Sequence, residues 1–166
     1  NTITGVITPD INNTKDFGSA ALKFQTIYAT TFNGNASTAN YADLAERFEA
    51  DEVLEPGTVV VFGGNNEVTE SSESQDTKVA GVISTDPAHL MNSECTGEHV
   101  VAVALRGRIP VKVIGVVQKG DVLITSDVPG HAMTSPSPHT VSASQMIGKA
   151  ITGKTDSGNG VIEALV

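Results

Sequence analysis

The chain has 166 residues, 39% of them hydrophobic, which is room for one compact domain or a small domain with an extended appendage. Nineteen acids against ten bases give a net charge of -9, which argues against a nucleic-acid or anionic-membrane surface, since either needs clustered Lys and Arg. No apolar run reaches the length of about 18 residues that a spanning helix needs, so no membrane insertion is expected, and one Cys excludes an intrachain disulfide.

The seven aromatics are unevenly placed. Phe17, Phe24, Tyr28, Phe32, Tyr41 and Phe48 all precede residue 50, Phe62 follows, and residues 63–166 contain none. Two differently built segments share the chain, and we place their boundary at 50/51. The chain opens at Asn1 without Met and without a basic-then-apolar leader, so we expect no signal peptide and a fragment of a longer protein.

In chain order, residues 1–35 are rich in Thr, Asn and Gly, with short apolar pairs separated by turn residues. Leu22, Phe24, Tyr28 and Phe32 share a period of two, which predicts a strand over 22–32, ended by Asn33-Gly34. From 37 to 48 the period changes. Tyr41, Leu44, Ala45 and Phe48 form a stripe spaced by three and four, which predicts a short helix with Ser37 or Thr38 as N-cap. Ordering such a thin segment costs roughly 1–2 kcal/mol of backbone entropy per residue. No neighbouring sheet in the sequence offers burial to offset that cost. Its aromatics argue against disorder, so intertwined oligomerisation is expected.

Beyond residue 50, Thr58–Phe62 reads as a buried strand, with Glu67–Thr69 as its hairpin return. Lys78–Ser84, His99–Leu105, Ile109–Val117, Val122–Ile124, Met146–Ile151 and Gly160–Val166 read as further strands. Residues 85–97 and 127–140 read as long loops. Many short Val/Ile strands with Gly turns predict a compact β-barrel or sandwich with an aliphatic core. The fold class is therefore mainly β, an intertwined shaft with one short helix over 1–50 and an all-β head over 51–166. The lack of Trp and Tyr in the head removes the rings on which sugar-binding clefts commonly stack. Residues 51–98 carry ten acids and one Lys, whereas 99–166 carry six bases and four acids. That contrast suits either a subunit contact or a solvated surface.

Few residues suggest chemistry. Glycoside hydrolysis needs two carboxylates about 5–9 Å apart, and Asp51/Glu55 and Glu94/Glu98 are only loop neighbours. Cys95, His89 and His99 are too few and too loosely spaced for a zinc site or a Cys nucleophile. His131 and His139 read as exposed. Gly115–Leu123 resembles the turn of lipoyl-carrier domains, but the Lys-bearing hairpin that those carriers modify does not occur, and we read it as structural turn chemistry. We assign no catalytic residue, metal or cofactor, and expect no enzyme activity.

The run Asp16-Phe-Gly-Ser-Ala-Ala-Leu-Lys-Phe-Gln-Thr-Ile-Tyr-Ala-Thr-Thr-Phe-Asn-Gly-Asn-Ala36 resembles a segment of the tail-fibre proteins of tailed bacteriophages. So does Tyr41–Arg47, followed in the usual order by Glu55–Gly64, Val79–Ser84, Met91-Asn92 and Lys119–Leu123. The resemblance covers residues 16–166. It implies a parallel homotrimer, an intertwined shaft ending in a globular head, with Leu22, Phe24, Ile27, Tyr28, Phe32 and Leu44 facing the threefold axis or a neighbouring chain. It also implies a place in the virion beside other phage tail proteins, and attachment to a bacterial surface glycan or outer-membrane protein. The His-x-His pairs through which some fibres thread iron do not occur. Loops 63–77, 85–98 and 127–140 are the candidate contact loops. The alternatives are a polysaccharide depolymerase or self-cleaving domain, and a purely structural trimerisation or capping head.

Overall fold

The computed structural model describes residues 5, 7–11, 16–25 and 43–166. The chain forms two compact units, Asn1–Ser37 and Thr38–Val166. Among the described residues every regular element is a β-strand.

In the first unit every described residue is exposed. A tight turn is held by Ser19, whose N–H donates to the Leu22 carbonyl (2.9 Å) and whose Oγ accepts from the Leu22 N–H (3.0 Å). Phe17 and Phe24 stack at 4.2 Å, yet remain 70% and 58% exposed, and Leu22 is 79% exposed. Residues 22–25, the described part of the predicted strand, pair with no strand in a single chain. Ile27, Tyr28 and Phe32 lie outside the described residues.

Among its described residues the second unit contains ten strands, β1 Asp43–Glu49, β2 Val59–Phe62, β3 Val68–Glu70, β4 Val79–Ile83, β5 His89–Met91, β6 Val100–Ile114, β7 Val122–Thr125, β8 Ala132–Thr134, β9 Gly148–Ala150 and β10 Asn159–Leu165. β6 organises them all. Its second half pairs with β10 from Arg108 to Ile114, and the path β6-β8-β7-β9-β10 returns to β6, closing a barrel. Its first half pairs with β1 and β4, continuing to β2 and β3. That sheet curls until Ala50 bridges Val68, where the Asp51 N–H donates to the Val68 carbonyl.

Each half has its own aliphatic core, because adjacent strand residues face opposite ways. Val59, Val82 and Ala104 join Ile109, Val111, Leu123, Ile147 and Ile162 in one cluster. Their neighbours Val60, Ile83 and Val103 join Ala50 and Val68 in the other. Every buried hydrophobic residue described is Ala, Val, Ile or Leu, in keeping with the lack of aromatics over 63–166.

Three sequence readings are corrected. The predicted helix over 37–48 is a strand from Asp43 onward; residues 37–42 are not among those described. Seven register pairs to β6 and three to β5 outweigh the local spacing of apolar residues. His99–Leu105 and Ile109–Val117 are largely one 15-residue strand, β6. Gly107 between them, at φ 131°, is the point where that strand passes from one sheet to the other, and it exchanges backbone hydrogen bonds with Val166. Finally, the predicted loops 85–97 and 127–140 contain β5, which pairs in parallel with the distant β1, and β8, which folds back on β7 as a short hairpin.

Candidate functional site

Two of the three candidate contact loops meet. The Gln75 and Asp76 N–H groups donate to the carbonyl and hydroxyl of Thr125 at 3.1 and 2.8 Å, and Gly130 N–H donates to the Ser71 carbonyl. The Gln145 amide donates to the Gln75 carbonyl at 2.9 Å. These bonds tie 71–77 to the chain on both sides of β8. The result is an exposed platform carrying Ser72, Ser74, Ser137, Thr140, Ser142 and Ser144 on a rigid barrel. The third loop, 85–98, sits instead beside β1, where Arg47 donates to the Ser93 carbonyl and Asn92 donates to the Arg47 carbonyl.

The platform offers mainly hydroxyl and amide groups, with the exposed imidazole of His139 and the carboxylate of Glu73, and no Phe, Tyr or Trp ring. It can hydrogen-bond a polar surface such as a glycan, without the Trp or Tyr faces on which sugars commonly stack. Leu44, in β1, is half-buried between His89 and Arg106 in the ladders.

Of the carboxylate pairs considered for catalysis, Asp51 and Glu55 are used locally. Asp51 accepts from the backbone N–H groups of Asn65 and Asn66 at 2.8–3.2 Å, and the Asn66 bond is the main cause holding its carboxyl below the usual range. Glu55 accepts from Lys112 Nζ at 2.9 Å, a hydrogen bond that likewise lowers its pKa. A general acid near neutral pH needs the opposite shift. Cys95 is half-buried, and no group of three or more His, Cys, Asp or Glu side chains is gathered as a metal site among the described residues.

The lipoyl-like turn is held by its own carboxylate: Asp121 Oδ2 accepts from the Gln118 N–H at 2.8 Å and from Thr134 Oγ1 at 3.0 Å. Lys119 has no ion-pair partner among the described residues, and no modification hairpin surrounds it.

No family model and no curated protein sequence matches the chain. The resemblance to tail fibres therefore rests on its own motifs.

Two further concavities were missed in the sequence. A groove of about 400 Å³ is lined by Leu105, Arg106, Met146, Lys149 and Leu165, among others. A β-bulge creates its wall: Leu44 pairs with Arg106 and Ala45 with Ala104, so Leu105 is the extra residue and turns outward. Leu165 pairs with Lys149 across β10 and β9, which completes the other wall. Arg108 pairs with Glu163 at 3.3 Å, whereas Arg106 and Lys149 have no acidic partner among the described residues. The second concavity, about 270 Å³, is lined by Glu52, Val53, Leu54, Glu55, Thr58, Glu70 and Lys112. Because the groove's walls come from strands some 40–60 positions apart in sequence, only the lack of an acid near Arg106 in sequence could have hinted at it.

Proposed function

We propose that the chain is the distal part of a phage tail fibre, a homotrimer that attaches the virion to a bacterial surface and carries out no catalysis. One observation carries this reading. Every described residue of the first unit is exposed in the single chain, including Ile7, Phe17, Leu22 and Phe24. Large contiguous apolar exposure of this kind marks an interface, and identical segments of two further chains would supply the missing core. The motif order from Asp16 to Leu123 supports three chains and a fibre. Leu22 and Phe24 then face a neighbouring chain in the shaft, together with Ile27, Tyr28 and Phe32.

The platform of 71–77 and 127–145 is the surface assigned to the receptor, a glycan or outer-membrane protein. Its hydroxyl-rich chemistry suits many weak hydrogen bonds, and three copies per fibre convert weak contacts into avidity.

Fluorescently labelled chain, incubated with bacterial cells of a susceptible strain, tests the function. Binding that is lost on replacing Ser72, Ser74 and Ser142 together with bulky acids is the expected result. No binding at micromolar concentration would favour a structural cap. Release of reducing sugar from capsule would instead establish a depolymerase.

A further inference from the structure

The two concavities of the second unit are complementary in charge, and an exposed apolar residue sits in the acidic one. The acidic one presents three carboxylates, Glu52, Glu55 and Glu70, against one ammonium, Lys112. Lys112 is already bonded to Glu55, so Glu52 and Glu70 are left uncompensated, and between the glutamates Val53 projects with 80% of its surface exposed. The groove presents two cations and no acidic side chain. Its apolar residues Leu105, Met146 and Leu165 are 36%, 43% and 49% exposed.

A soluble surface scatters apolar residues singly among mixed charges. Here three apolar side chains converge between two unpaired cations, and the same chain carries an apolar residue framed by unpaired acids. We propose that Val53 of one copy inserts into the Leu105–Met146–Leu165 groove of the next, with Glu52 and Glu70 facing Arg106 and Lys149. The occupant is thus a second copy of this chain. The contact joins two different patches, so it is heterologous, and repetition around a threefold axis closes it into a ring. This rests on the trimer reading above, and adds to it a contact between heads that is independent of the shaft.

The division of charge along the sequence, acids over 51–98 and bases over 99–166, then has a use: each half meets the other in trans. Like charges brought together in a wrong register repel, which fixes the order of heads around the axis.

Cross-linking of the full chain tests the contact. In a Cys95→Ser background, Val53→Cys combined with Met146→Cys should give covalent dimers and trimers on a non-reducing denaturing gel after mild oxidation. Val53→Cys with Leu165→Cys is a second pair at exposed positions. Either Val53→Cys or Met146→Cys alone should give no linked chains, because neither patch meets its own copy. Adding Arg106→Glu should abolish the link, and Glu52→Arg in the same chain should restore it. No link from either pair, while light scattering still reports a trimer, overturns the head contact and leaves the trimer reading standing. A monomer by light scattering overturns both. Linking through one cysteine alone overturns the heterologous arrangement. Cross-linking unchanged by Arg106→Glu would overturn the pairing of Arg106 with the acids of the next copy.

Discussion

Ser71 is wholly buried, and its Oγ has no hydrogen-bond partner among the described residues. An unsatisfied buried hydroxyl is a cost that Ala does not carry, so Ser71→Ala should stabilise the fold by about 1 kcal/mol. Thermal unfolding followed by circular dichroism checks this, with an expected rise in Tm of roughly 2–4 °C; a fall would mean that the hydroxyl has a partner. The carboxylates titrate in the other direction. Asp51, Glu55 and Asp156 all have pKa values lowered on folding, by backbone N–H groups or by a lysine. Their contribution is present above the ordinary carboxylate range and is lost as pH falls through the folded values. Tm should therefore be level from pH 7 to 5 and decline below about pH 4. Asp51→Asn should lower Tm at pH 7 and converge with the parent chain near pH 2. Lack of convergence would place the effect of Asp51 in geometry rather than charge. These partners differ in sequence distance: Asp156 meets Lys154 two residues away, Asp51 meets Asn66 in the β2–β3 turn, and Glu55 meets Lys112 only because β6 runs past it.

At the scale of elements, β6 is shared by both sheets, and close approach to it decides what β4 tolerates. Gly81 in β4 sits at φ 155°, and a Cβ there would strike the Ala104 carbonyl and come within 2.7 Å of Val103 Cγ1. Overpacking and backbone strain together predict that Gly81→Ala costs roughly 2–4 kcal/mol. Chemical denaturation measures it; a loss under half a kilocalorie (about the scatter of surface changes) would contradict the packing described. The β2–β3 hairpin was legible because its turn and both strands are contiguous in sequence, and Val61 pairs with Thr69 across it. The strand β1 was not. Its residues carry a helical spacing, and only the ladder to β6, 57 or so positions away, makes them extended. The same holds for β5, three residues long, which pairs with the distant β1, whereas β8 folds back on its neighbour β7.

For the whole molecule, the lack of aromatics over 63–166 anticipated an aliphatic core in the second unit. The strand Asp43–Glu49 pairs within that second unit although its sequence reads with the first. Charge and length could not reveal the groove and its acidic counterpart, since both are assembled from strands that meet only in the fold. The central claim is that neighbouring chains supply the core missing from the first unit. Multi-angle light scattering of the full chain, from micromolar concentration downward, tests it most directly. The account predicts a single species at three times the 17.2 kDa chain mass. Replacing Phe17, Leu22 and Phe24 together with Ser should reduce that mass. A stable, folded monomer of the unaltered chain at every concentration would contradict it.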